Sequence, residues 1–204
     1  MDKHRLELFS DGVFVIVLTL LVLDLKPPLH PESLVGYQEI APSLLVHAMA
    51  FYVIGTLWLH HHNIFMQVSR IRNRTLLLNL LMLFWVTLMP FGARIAADHP
   101  LAPLGISFFT TLRALYFTTI LGMRFTVPSD AANRSELMAL SRRGRRQMLV
   151  TVIGLLTAAA LSWASPWFGY ASLLAPAIGM FVGNRRSEAE GLREPEPGPV
   201  SPNV

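Results

Sequence analysis

The chain has 204 residues, 52% apolar and only 15% charged, with a mean hydropathy of +0.46. A soluble domain carries about 25% charged residues, so the composition excludes an ordinary soluble enzyme and indicates an all-α polytopic membrane protein. The net charge of +4 would suit nucleic acid, but the arginines lie between apolar segments, where membrane topology accounts for them without a nucleic-acid partner. Cysteine is absent, which excludes a disulfide framework, a thiol nucleophile and a thiolate metal site.

The first expected span covers 5–25. A charged and polar cluster, Arg5 to Asp11, runs without a break into an apolar stretch whose one hydroxyl is Thr19. Lipid disfavours Arg and Asp at the edge of a span unless something pairs with them, so this helix is expected to turn an important face inward. It does not read as a signal peptide, because Asp11 interrupts the pattern and no small-residue cleavage site follows. Ile16, Thr19, Leu20 and Leu23 are spaced to share one face, with Arg5, Phe9 and Gly12 leading into it. From spacing alone that stripe is a packing face or the lining of a path.

Asp24, Glu32 and Glu39 crowd the following loop, either as a solvated turn or as a cation-concentrating mouth. The second span, 43–66, ends in Trp58-Leu59-His60-His61-His62. Consecutive helical residues point about 100° apart, so three adjacent histidines cannot converge on one metal ion. They are expected to hydrogen-bond to other helices, forming with Arg5, Ser10, Asp11 and Asn79 a buried polar network across three helices. Asn79 belongs to the third span, 75–96, which also holds Pro90.

The fourth span, 104–125, contains Arg113, either a functional group or a cation that snorkels or pairs with a carbonyl or with Asp98. The fifth and sixth spans are placed at 147–164 and 167–183. Arginines gather in alternate loops, at Arg70, Arg72 and Arg74, then at Arg134, Arg142, Arg143, Arg145 and Arg146, then in the tail. The positive-inside rule then puts both termini in the cytoplasm, in agreement with six transmembrane helices. One membrane domain is expected over 1–184 and a disordered cytoplasmic tail over 185–204.

No Gly-rich phosphate loop, Gly-x-Ser-x-Gly elbow or His-Glu-x-x-His is present, so no enzyme is expected. A secondary transporter or proton-coupled carrier remains the alternative, relaying protons through Asp11, His60, His61, His62 and Arg113.

The stretch Arg5-x-x-x-Phe9-Ser10-Asp11, with Gly12-Val13-Phe14 and Thr19-Leu20-Leu21-Val22-Leu23, resembles the signature of the endosomal and lysosomal transmembrane potassium channel family, and most closely its prokaryotic six-helix members. Trp58, His61-His62 and Phe65 resemble the family's second helix, and Asn79-Leu80-Leu81 with Pro90-Phe91 its third. His60 departs from the pattern, standing where the family often has Asn, and Arg113 has no place in it. The resemblance implies a homotetrameric channel of the cell membrane that favours potassium and needs no cofactor. It implies a pore lined by the first helix, with an apolar constriction at Ile16, Leu20 and Leu23 and the Thr19 hydroxyl close by. It also implies that Arg5, Phe9, Ser10, Asp11, Trp58, His61, His62 and Asn79 set that helix in place.

Overall fold

The computed structural model describes residues 2–28, 30–66, 71–126 and 134–174, and these are helices and connecting turns without strands. Helix α1, Lys3–Leu20, starts where the Asp2 carboxylate accepts a bond from the His4 backbone N–H. It tightens into a 3-10 turn, Leu21–Asp24, and ends before Pro27-Pro28, which cannot continue it. Helix α2, Leu34–Phe65, begins at Ser33, whose hydroxyl accepts from the Gly36 N–H at 3.2 Å. It starts nine residues before the sequence-based boundary and continues through position 42. Its 32 residues reach about 48 Å, well beyond a hydrocarbon core of about 30 Å.

The third span is two helices, α3 at Asn73–Thr87 and α4 at Met89–Asp98. The break falls at Leu88, because Pro90 has no N–H to give the Val86 carbonyl and its ring crowds that carbonyl. A tight turn closed by Ala102 N–H to the His99 carbonyl leads into α5, Pro103–Thr126. Helix α6 spans Arg134–Leu161, and α7 spans Trp167–Ala171. Arg142 to Arg146 therefore sit on a continuous helix and not in a loop. The run of arginines hid the helix from a hydropathy reading, which sees apolar length and not backbone regularity.

Among the described residues, four stretches are long and apolar enough to cross a bilayer: Lys3–Leu23, Leu34–Phe65, Asn73–Asp98 and Pro103–Phe125. The remainder of the sixth expected span, the tail and Arg70 lie outside the described residues, as do the side chains of Asp24, Arg134, Arg142 and Arg143. Glu32 and Glu39 are exposed, Glu32 lying 3.4 Å from His30.

Helix α5 is the centre of the unit and packs against α3, α4 and α6. Its approach to α4 is close because Gly105 lies against the Ala96 backbone, where a Cβ would come within 2.8 Å of the Ala96 Cα. Ile54, Leu57, Met82, Met89, Ile106 and Ile120 fill the core. Helix α1 stands at the side of this core, against α2 and α3.

Candidate functional site

At about 3.6 residues per turn, α1 divides lengthwise into two faces. Leu6, Ser10, Phe14, Val17 and Leu21 are buried against the bundle. The stripe holding Phe9, Gly12, Ile16, Thr19, Leu20 and Leu23 is bare. Ile16 is 59% exposed and Leu23 75%, values that mark an apolar surface with no partner among the described residues. A Cβ placed on Gly12 would meet nothing within 4 Å, so none of the described residues covers the stripe there.

The buried face of α1 carries one polar group, and its hydrogen bonds follow in a forced order. The Ser10 hydroxyl donates to the Leu6 carbonyl at 2.9 Å, which uses its single proton. It must then accept from the Asn79 side-chain amide, whose Nδ2 lies 2.9 Å away. That orientation turns Asn79 Oδ1 toward His61 Nε2 at 3.0 Å, so Nε2 carries a proton and donates it. Ser10, Asn79 and His61 are all essentially sealed from solvent, at 0%, 0% and 1% exposure. The relay joins α1, α3 and α2. Phe14 and Phe65 flank the His61 ring, at centroid distances of 5.7 and 4.3 Å.

Asp11 points about 100° away from Ser10 and has a different partner. Its carboxylate accepts from the Trp58 indole N–H at 2.8 Å, and His62 stacks on the Trp58 ring. The polar residues expected to form one network thus form two adjacent branches, Ser10–Asn79–His61 and Asp11–Trp58–His62. Neither branch includes Arg5 or Phe9, which are exposed on the far side of α1. His60 turns away from both: its Nδ1 meets the Thr56 carbonyl at 2.8 Å and its ring lies edge-on to Phe117.

Tyr116 was not legible as a participant. Its buried hydroxyl donates to the Leu57 carbonyl, tying α5 to the turn of α2 that carries the histidines. The available signal was the phenol itself, because a tyrosine within an apolar span requires a hydrogen-bond acceptor. Arg113, 1% exposed, stands apart. Its two terminal nitrogens donate to the Ser172 hydroxyl and carbonyl, each at 3.0 Å, at the end of α7. The acceptors are not Asp98, which bonds Arg94 at 3.0 Å instead.

The chain is a multi-pass helical membrane protein whose first helix is seated by buried polar bonds on one face and left bare along the other. Residues 5–90 match the family described as the endosomal/lysosomal potassium channel TMEM175. A potassium channel of a Chryseobacterium species is 31% identical over 162 residues, covering 77% of this chain and 83% of that protein. A potassium channel of Chamaesiphon minutus is 33% identical over 180 residues, covering 81% of this chain and 87% of that one. The crystal structure of a lysosomal potassium-selective channel TMEM175 homolog from Chamaesiphon minutus superposes with a TM-score of 0.73 at 29% identity, over 88% of this chain and 96% of that chain. The chain belongs to the TMEM175 family, which is a family of ion channels and not a class of enzymes.

Proposed function

We propose that the chain is one subunit of a passive, potassium-favouring cation channel of the prokaryotic cell membrane. Four copies, each crossing the bilayer six times with both termini cytoplasmic, place α1 around a shared axis. Ile16, Thr19, Leu20 and Leu23 line the path, and the Ser10–Asn79–His61 and Asp11–Trp58–His62 bonds fix the rotation of α1 that turns those side chains to the axis. The observation that carries this reading is the two-sided character of α1, bare along the Ile16 stripe and anchored along the Ser10 stripe. The potassium-channel names of its relatives favour the same reading.

A ring of Ile and Leu side chains repels water when narrow, so ions cross only when it widens enough to stay hydrated. Apolar carbon cannot replace a hydration shell, so discrimination falls to pore width and to the oxygens within reach. The Thr19 hydroxyl donates its proton to the Ile16 carbonyl at 2.8 Å, which leaves its lone pairs directed outward, the polarity a cation requires.

The carrier alternative needs a proton route linking Asp11, His60–His62 and Arg113. Arg113 spends its terminal donors on Ser172, and His60 bonds its own helix backbone, so those groups do not join in this structure. Potassium flux from proteoliposomes, with and without Ile16→Asn, tests the channel reading. Passive flux changed in rate or ion preference by the substitution supports it. Absence of flux in both samples, with intact oligomers, removes it.

A further inference from the structure

The apolar span of α5 ends at Phe125, so groups around that residue stand at the level of the lipid headgroups. Arg124 of α5 and Arg145 of α6 come together there, and Arg146 is the next residue of α6. Arg124 of α5 is half-buried, and its guanidinium rests against α6 at Gly144, in the space a side chain would occupy. Any Cβ at Gly144 would collide with it. Its Nε is buried and has no hydrogen-bond partner among the described residues. On α6, Arg145 holds its guanidinium 5.3 Å from the ring centroid of Phe125. Phe125 is 67% exposed, so this cation lies on the surface of the subunit. Arg146 follows it and is exposed. None of the three forms an ion pair among the described residues.

Cations clustered where the apolar span stops have a natural counter-charge in an anionic membrane surface. Guanidinium forks match phosphate oxygens in geometry as well as charge. Placement on a protein–lipid boundary favours a phosphate attached to acyl chains over a free one, because exposed Phe125 offers the apolar contact that a free ion cannot use. We infer that Arg124, Arg145 and Arg146 form a binding site for the phosphate of an anionic phospholipid, with Phe125 against its acyl chain and Gly144 making room for Arg124. A topogenic signal needs only charge on one side of the membrane. The seat at Gly144 and the stacking on Phe125 are specific geometry beyond that need.

Native mass spectrometry of the full-length protein released from vesicles of mixed phosphatidylglycerol and phosphatidylcholine tests the site without any reliance on conduction. Phosphatidylglycerol is expected to be retained above its bulk share. Each of Arg124→Gln, Arg145→Gln and Arg146→Gln should lower that enrichment about fivefold, the factor for ~1 kcal/mol per cation at an anionic surface. Gly144→Ala keeps every charge and shifts only the flexible end of the Arg124 side chain, so it should lower the enrichment by less than Arg124→Gln, with the helical content unchanged. Equal retention of the two lipids by the unaltered protein overturns the inference. So does undiminished enrichment in Arg145→Gln and Arg146→Gln, whose side chains lie at the surface and can be replaced without opening the core. Inorganic phosphate that binds as well as the lipid, and displaces it, would identify a free-anion site and overturn the assignment to lipid.

Discussion

Asn79 donates its side-chain amide to the Ser10 hydroxyl at 2.9 Å, across 69 positions of sequence, at a point where neither residue is exposed. Ser10 has already committed its proton to the Leu6 carbonyl. Asn79 therefore sits between an obligatory acceptor on α1 and a donor on α2, and its removal strands both.

Asn79→Ala should lower stability by about 1–3 kcal/mol, the cost of leaving buried polar groups unpaired. A double-mutant cycle with Ser10→Ala should show coupling of about 0.6–1.7 kcal/mol, the range for hydrogen bonds between membrane helices. Unfolding of the purified protein in detergent measures both quantities. Strict additivity would mean that the two side chains do not stabilise each other.

Ile16→Asn puts an amide on the bare stripe of α1. If that stripe forms the constriction, water enters more readily and potassium flux rises, by roughly tenfold for ~1.4 kcal/mol removed from the barrier. Preference over sodium should fall in the same experiment. An unaltered rate and preference would return the stripe to packing against other helices.

Gly105→Ala drives a methyl to within 2.8 Å of the Ala96 Cα and the Ile95 carbonyl oxygen. Both are backbone atoms and cannot swing aside, so α4 and α5 must separate. Overpacking of this kind costs about 1–3 kcal/mol. A lowered thermal midpoint in detergent is the expected result, and an unchanged midpoint would show that the two helices separate freely.

Arg113→Gln keeps a donor near Ser172 but removes the charge. Because Arg113 bonds neither Asp11 nor the histidines, the pH dependence of ion flux should stay as it was while thermal stability falls by about 1–3 kcal/mol. A shifted pH profile would restore Arg113 to a proton route and favour the carrier reading.

The sequence by itself determined the membrane class, the approximate places of the long apolar helices and the division of α1 into faces. These properties are local: apolar length and a repeat of about 3.6 residues are written in neighbouring positions. It also marked Ser10, Asp11, His61 and Asn79 as polar groups in need of partners, because lipid offers none. Only the tertiary structure decided who pairs with whom. Asp11 and Ser10 are adjacent in the chain yet meet different helices, since a rotation of about 100° separates their side chains. Arg113 found the end of α7 and not Asp98, and Tyr116 found the Leu57 carbonyl. The helical course of Arg142 to Arg146 was likewise hidden, because charge masks apolar periodicity without preventing a helix. Pairing depends on how the helices are rotated and how deeply they are set, and both are settled by the packing of the whole bundle around α5.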